Sequence, residues 1–201
     1  MDVVSYLLGK NASGGGGGNL KISPISISFR EVTDDIIHTE LLDTSKITTF
    51  YNLFYRCFNL KNLDLSGFDI TKVESFQSMF QQCGVLGVMT ELDLSSFGET
   101  VANSCNSMFY MCFTLKKINL CNFTPKYNMV TNSMFYGCTA LEEIDMRNFD
   151  FSKVSGYNQM FGTTGQYVPD NCLIIVKDDT QKQWLNTNFS FLTNVKTVAE
   201  L

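Results

Sequence analysis

The chain has 201 residues and a mass of 22.7 kDa, long enough for one domain with a substantial core. Hydrophobic residues make up 44% and charged residues only 17%, which excludes a disordered chain. The net charge is −5 with no basic cluster, which excludes the cation-lined surface that nucleic acids require.

At the N-terminus, MDVVSYLLGK carries Asp2 where a secretion signal has basic residues, and no small-residue cleavage site follows; no signal peptide is expected there. No apolar run approaches the roughly 18–20 residues of a membrane span. Val3, Val4, Leu7 and Leu8 would share one face of a helix, so residues 1–10 read either as a docking segment for a larger assembly or as an unstructured terminus. Five consecutive glycines at 14–18 have no core-forming side chain and read as a flexible linker. No lysine follows them in a GK[ST] arrangement, so they are not a phosphate-binding loop. Residues 1–19 are thus leader and linker. Residues 20–36 are expected to cap the fold, with Ile25, Ile27 and Phe29 alternating with Ser26 and Ser28 as an edge strand.

A strict repeat follows. Phe54–Cys57, Phe80–Cys83, Phe109–Cys112 and Phe135–Cys138 are separated by 26, 29 and 26 residues, and Phe161 comes 26 later. Five further columns keep the register: Leu60, Leu86, Leu115, Leu141; Leu63, Leu92, Ile118, Ile144; Leu65, Leu94, Leu120, Met146; Phe68, Phe97, Phe123, Phe149; and Met79, Met108, Met134, Met160. Such a period means a solenoid. Leu63-Asp64-Leu65 alternates apolar and polar residues and predicts a very short strand. Phe76, Met79, Phe80 and Cys83 follow i, i+3, i+4, i+7 and predict a short helix. The expected fold is an α/β solenoid over residues 37–165, with short parallel strands on one face, short helices on the other and about four to five rungs. Ile37-His38-Thr39 would be the first rung. Past Phe161 the repeat decays; residues 166–201 form a C-terminal cap with a strand at Leu173–Val176 and a helix capped by Asp178 that carries Trp184 and Leu185.

The column cysteines Cys57, Cys83, Cys112 and Cys138 lack CxxC spacing and would point the same way on successive rungs, which suits a buried ladder of thiols better than zinc or disulfides. Cys105, Cys121 and Cys172 lie off the column, with Cys121 just after a strand and open to exposure. His38 is the only histidine. With no GxSxG or HExxH motif, the sequence implies no catalytic residue, cofactor or metal.

The unit MFYGCTALEEIDMRNFDFSKVSGYNQ and its sisters resemble the repeat of BspA-like leucine-rich-repeat surface proteins, roughly MFxxCxxLxxLDLSxFDTSxVTxM, over about residues 36–165. The tail 172–201 resembles the segment that follows such repeats, and the opening with its glycine tract resembles leaders of phage structural or tail proteins. The pattern is lost at Gly98-Glu99-Thr100 and Thr124-Pro125-Lys126. The resemblance implies a leucine-rich-repeat-like fold and a recognition module on a cell surface or virion, and carries no catalytic residue across.

In such a solenoid the strand face is the usual binding surface, by analogy. Asp64, Asp93, Asn119 and Asp145 form one outward column, with His38 on the rung before. Asn62, Glu91, Lys117 and Glu143 form its neighbour, and Ser66, Ser95, Cys121 and Arg147 follow. Like charges on adjacent strands repel, so Asp64 and Asp93, with Glu91 beside them, need an offset. These carboxylates either solvate the face and accept turn N–H groups, or meet a protein or glycan; a calcium ion is a minor option. The candidate ligand-binding set is Asp64, Glu91, Asp93, Lys117, Asn119, Glu143 and Asp145. The two functional readings are a non-enzymatic adhesion module and a structural virion component with no external ligand.

Overall fold

The computed structural model describes residues 27–33, 37, 39, 42–87, 89–163, 165 and 167–201. The leader, the glycine tract, most of the expected edge strand and His38 lie outside the described residues. The chain winds as a parallel β-solenoid of about three turns with little helix. The main sheet takes β1 (Glu91–Asp93), β3 (Lys117–Asn119) and β6 (Glu143–Asp145) from successive repeats, then β8 (Leu173–Val176) and β9 (Val195–Thr197) from the C-terminal segment. All neighbours are parallel, and Leu92, Ile118, Ile144 and Ile174 pair across the sheet in the register the repeat predicts. Two smaller pairs complete the coil's other sides: β2 (Glu99–Thr100) with β4 (Thr124–Pro125), and β5 (Met129–Val130) with β7 (Val154–Gly156). Among the described residues, three repeat coils contribute strands to the main sheet, fewer than the four to five rungs expected.

The expected short helices are absent from the described repeats. In their place each coil has a run of overlapping turns, and in alternate turns the third position lies in the left-handed region. These are Asn52 and Arg56, Ser78 and Gln82, Ser107 and Met111, Ser133 and Gly137, with φ between 54° and 76°. Leu53, Tyr55 and Cys57 donate their N–H groups three residues back, to Phe50, Asn52 and Phe54. A positive φ at the third position is what a type II turn requires, and it stops an α-helix. Alternate N–H groups point along the solenoid axis instead. Phe50, Asn52, Phe54 and Arg56 donate to the carbonyls of Ser75, Gln77, Met79 and Gln81 at 2.8–3.1 Å. Phe76, Ser78, Phe80 and Gln82 do the same to Ser104, Asn106, Met108 and Tyr110. Tandem turns of this kind send i, i+3, i+4 and i+7 inward just as a helix does, which is why the apolar spacing alone pointed to helices. Phe29 and Glu31 join the ladder by donating to Leu53 and Tyr55, so this part of the expected edge strand serves as a terminal turn segment.

The core is built of phenylalanine: 12 of the chain's 17 are almost wholly buried. Phe29, Phe54, Phe80, Phe109, Phe135 and Phe161 stack in one column with centroids 5.3–5.6 Å apart and rings within 15° of parallel. Burial of each side chain contributes about 1.5–3 kcal/mol. The C-terminal segment closes this column. The α-helix α1 (Asp179–Asn188) starts where Asp178 accepts the Gln181 N–H at 3.1 Å. It brings Trp184 against Phe151, and the following Phe189 lies edge-on to Phe161.

Phe109→Ala removes a central member of the column and is expected to cost about 3–5 kcal/mol, read as a lower urea midpoint. Gln159 is exposed at φ 56°, so Gln159→Gly is expected to stabilise by about 1 kcal/mol in the same titration. A loss of stability there would contradict the left-handed turn.

Candidate functional site

Within each coil the chain bends at three corners, and most of these corners use a short polar side chain to hold the N–H two residues on. At the exit of the strand, Asp64, Asp93, Asn119 and Asp145 accept from Ser66, Ser95, Cys121 and Arg147 at 2.9–3.2 Å. At the next corner Asp43, Asp69 and Asp150 accept from Ser45, Thr71 and Ser152. At the entrance to the turn segment Thr49, Ser75 and Ser104 accept from Tyr51, Gln77 and Asn106. Such Asx and hydroxyl turns replace backbone partners locally. At Gly98-Glu99-Thr100 and Thr124-Pro125-Lys126, where the second corner loses its Asp, the β2–β4 pair takes over, with Lys126 3.4 Å from Glu99.

This separates the candidate residues into two kinds. The column Asp93, Asn119, Asp145 is committed to the corner. Asp93 Oδ1 also accepts the Asn119 amide at 3.0 Å, and Arg147 grips both Asp145 oxygens through Nε at 3.0 Å. The column Glu91, Lys117, Glu143 is paired rung to rung by register and alternates in sign, so no two like charges meet on adjacent strands. Together these six side chains line an open depression of about 250 Å³ on the strand face. Asp64 does not join them. It is exposed away from that depression, its carboxyl held below its usual pKa by the Ser66 backbone N–H. His38 lies outside the described residues, so its pairing with Asp64 does too.

Sequence reasoning passed over Arg147 as a site residue, although it neutralises Asp145 beside the depression. Its signal was the break in a column that otherwise reads Ser66, Ser95 and Cys121. A second polar depression of about 340 Å³ lies at the junction with the C-terminal segment, between Arg147, Asn148, Asp150, Lys177, Asp178 and Gln181. No period marks it, because Lys177, Asp178 and Gln181 lie past the repeat.

The four column cysteines are wholly buried and free. Cys57, Cys112 and Cys138 donate their thiols to the carbonyls of Phe29, Phe80 and Phe109 on the preceding coil, each at 3.0 Å. Burial pushes Cys57 and Cys112 up to about 12, and Cys83 and Cys138 well above the usual thiol value, so none is a nucleophile at neutral pH. Cys121 is half-buried, with its thiol pKa raised chiefly by burial and then by Asp145. Among the described residues no group of three His, Cys, Asp or Glu side chains converges as a metal site, and no helix is long and apolar enough to cross a membrane.

The family model described as "Mycoplasma protein of unknown function, DUF285" matches residues 24–130 and again 87–196. The chain belongs to the DUF285 family. The two matches overlap across the 29-residue step of the repeat, as expected when a family model several coils long slides along a solenoid. No curated protein and no solved structure matches this chain.

Asp93→Ala is expected to cost about 1 kcal/mol, because a corner N–H loses its acceptor. Glu91→Ala is expected to stay within about 0.5 kcal/mol of the parent. Equal effects in urea denaturation would show that the two columns do not differ in role.

Proposed function

We propose that this DUF285 protein is a non-enzymatic binding module of the BspA-like surface type. It recognises a protein or glycan through the strand face, on a cell surface or a phage particle, with residues 1–10 as its attachment to a larger assembly. The observation that carries this reading is the row Glu91, Lys117, Glu143. The fold spends its other polar columns on corner turns, but it leaves these three long side chains on a flat sheet beside a depression, with no corner to hold. Rigid strands that present uncommitted side chains meet the geometric demand of recognition.

A structural component with no external ligand is the competing reading. It is favoured by the internal hydrogen bond from Asn119 to Asp93 and the ion pair of Asp145 with Arg147, which engage the carboxylates of those two rungs within the chain.

A glycan array and whole-cell binding assays, run with wild type and a Lys117→Glu variant, separate the two. The binding reading expects a ligand whose affinity falls about tenfold in a variant that still melts cooperatively, at a Tm lowered by the like charges it sets on adjacent strands. A well-folded wild type that binds neither glycans nor cells, or a ligand held equally by both proteins, overturns it.

A further inference from the structure

The depression at the junction with the C-terminal segment has walls from two elements that the fold locks together. Arg147, Asn148 and Asp150 follow β6 on the last repeat coil, and Lys177, Asp178 and Gln181 follow β8 into the first turn of α1. β6 and β8 pair in parallel, and Gln181 Oε1 accepts the Phe151 N–H at 2.8 Å, which ties the helix to the coil. The two walls therefore keep a fixed separation.

Most of these side chains are anchored through one polar atom and keep another free. Asn148 Nδ2 donates to the Cys121 carbonyl at 2.6 Å, which leaves its Oδ1 as an acceptor. Asp150 Oδ1 accepts the Ser152 N–H at 3.0 Å and Asp178 Oδ1 accepts the Gln181 N–H at 3.1 Å, so each carboxylate keeps Oδ2. Gln181, pinned through Oε1, keeps its Nε2 donor, and Arg147, which grips Asp145 through Nε and Nη2, keeps Nη1. Lys177 is exposed and pairs with no described residue. Anchoring one end of a side chain lowers the ordering cost when the other end meets a ligand.

That mixture of groups narrows the ligand. The volume of about 340 Å³ is near the lower end of the roughly 300–1,000 Å³ of small-molecule sites. Two cations and two carboxylates line the same space, so an anion meets Asp150 and Asp178 and a cation meets Arg147 and Lys177. A protein partner's apolar anchor finds no pocket, because Phe149, the apolar residue at the wall, is 1% exposed. A hydroxyl both donates and accepts, and neighbouring hydroxyls on one ring answer free donors and free acceptors set side by side. We propose that this junction is a binding site for a neutral pyranose ring. It is separate from the strand face and stands whether or not that face has a ligand.

Ligand-observed NMR of the full chain with methyl glucoside, methyl galactoside, methyl mannoside and N-acetylglucosamine tests the site. The depression is open, so at least one of these probes is expected to bind with a dissociation constant of about 1 mM. Asp178→Asn keeps the helix cap and Gln181→Glu keeps the acceptor for Phe151; each exchanges only the free atom, acceptor for donor or donor for acceptor. Both are expected to weaken the sugar about tenfold, and Lys177→Ala, which removes a donor that supports nothing in the fold, about threefold. Lys117→Glu on the strand face is expected to bind the sugar as wild type does. Thermal melts establish that each variant folds, and Lys177→Ala decides the matter where Gln181→Glu does not. A folded wild type that binds none of the four probes at any soluble concentration overturns the proposal, as does a sugar held undiminished by the deciding variant. A sugar lost in Lys117→Glu alone belongs to the strand face, which overturns this site and leaves the proposed function standing.

Discussion

Alternate N–H groups of each turn segment find their acceptors only in the neighbouring coil, and the rest of the molecule is arranged around that constraint. A buried backbone donor without a partner costs about as much as a lost hydrogen bond, and a tandem of type II turns satisfies only half of its own donors. Phe50, Asn52, Phe54 and Arg56 must therefore be met by Ser75, Gln77, Met79 and Gln81. One coil cannot satisfy itself, and stacking is a condition of folding at all. The Phe54–Phe80–Phe109–Phe135 column and the Cys57, Cys112 and Cys138 thiols follow from it. Once the coils are spaced by the backbone ladder, rings stack and a small donor beside each ring reaches the carbonyl one coil back.

The polar residues divide the outer surface by role. Asp and Asn at the strand exit, Asp at the second corner and Ser or Thr at the third are held by the chain's own turns. They recur because the bend recurs. Several carboxylates are held below their ordinary pKa by these contacts: Asp64 by the Ser66 backbone N–H and Asp69 by the Thr71 hydroxyl. Glu200 is lowered to about 2, chiefly by Lys182. Depressed carboxylates contribute stability above their unfolded pKa and lose it as the pH falls through the folded one, and the exposure of these three keeps that contribution small. What remains on the strand face after this division is the row Glu91, Lys117, Glu143.

Much of the architecture was legible in the residues. The period located the stacked columns, and Leu63, Leu92, Ile118 and Ile144 marked the inward strand positions. Asp178 and Trp184 announced the terminal helix. The helices on the opposite face were misread for a physical reason. Phe76, Met79, Phe80 and Cys83 have helical spacing, and nothing in side-chain periodicity separates a helix from tandem turns with the same inward pattern. The distinguishing signal was the recurrent small or polar residue at Asn52, Ser78, Ser107 and Ser133, with Gly137 four further on, where left-handed backbone is tolerated. For the candidate site, the columns were right in register but equal in weight. Only the hydrogen bonds from Ser95, Cys121 and Arg147 separate the Asp column, which holds the chain, from the Glu and Lys column, which does not.

The unequal step in the repeat has a consequence for how such a chain changes length. In-frame duplication of a 26-residue cassette inserts one coil whose axial donors and stacked rings match both neighbours, so the array can grow without a redesigned end. The 29-residue step between Phe80 and Phe109 does not share this freedom. Its extra residues fold back on the coil before, and a Cβ on Gly87 would lie 2.0 Å from the Asn59 carbonyl oxygen. That coil is fitted to one particular neighbour. A coil gained or lost between Phe109 and Phe161 leaves that junction untouched, whereas one that cuts through it must keep Gly87 against Asn59.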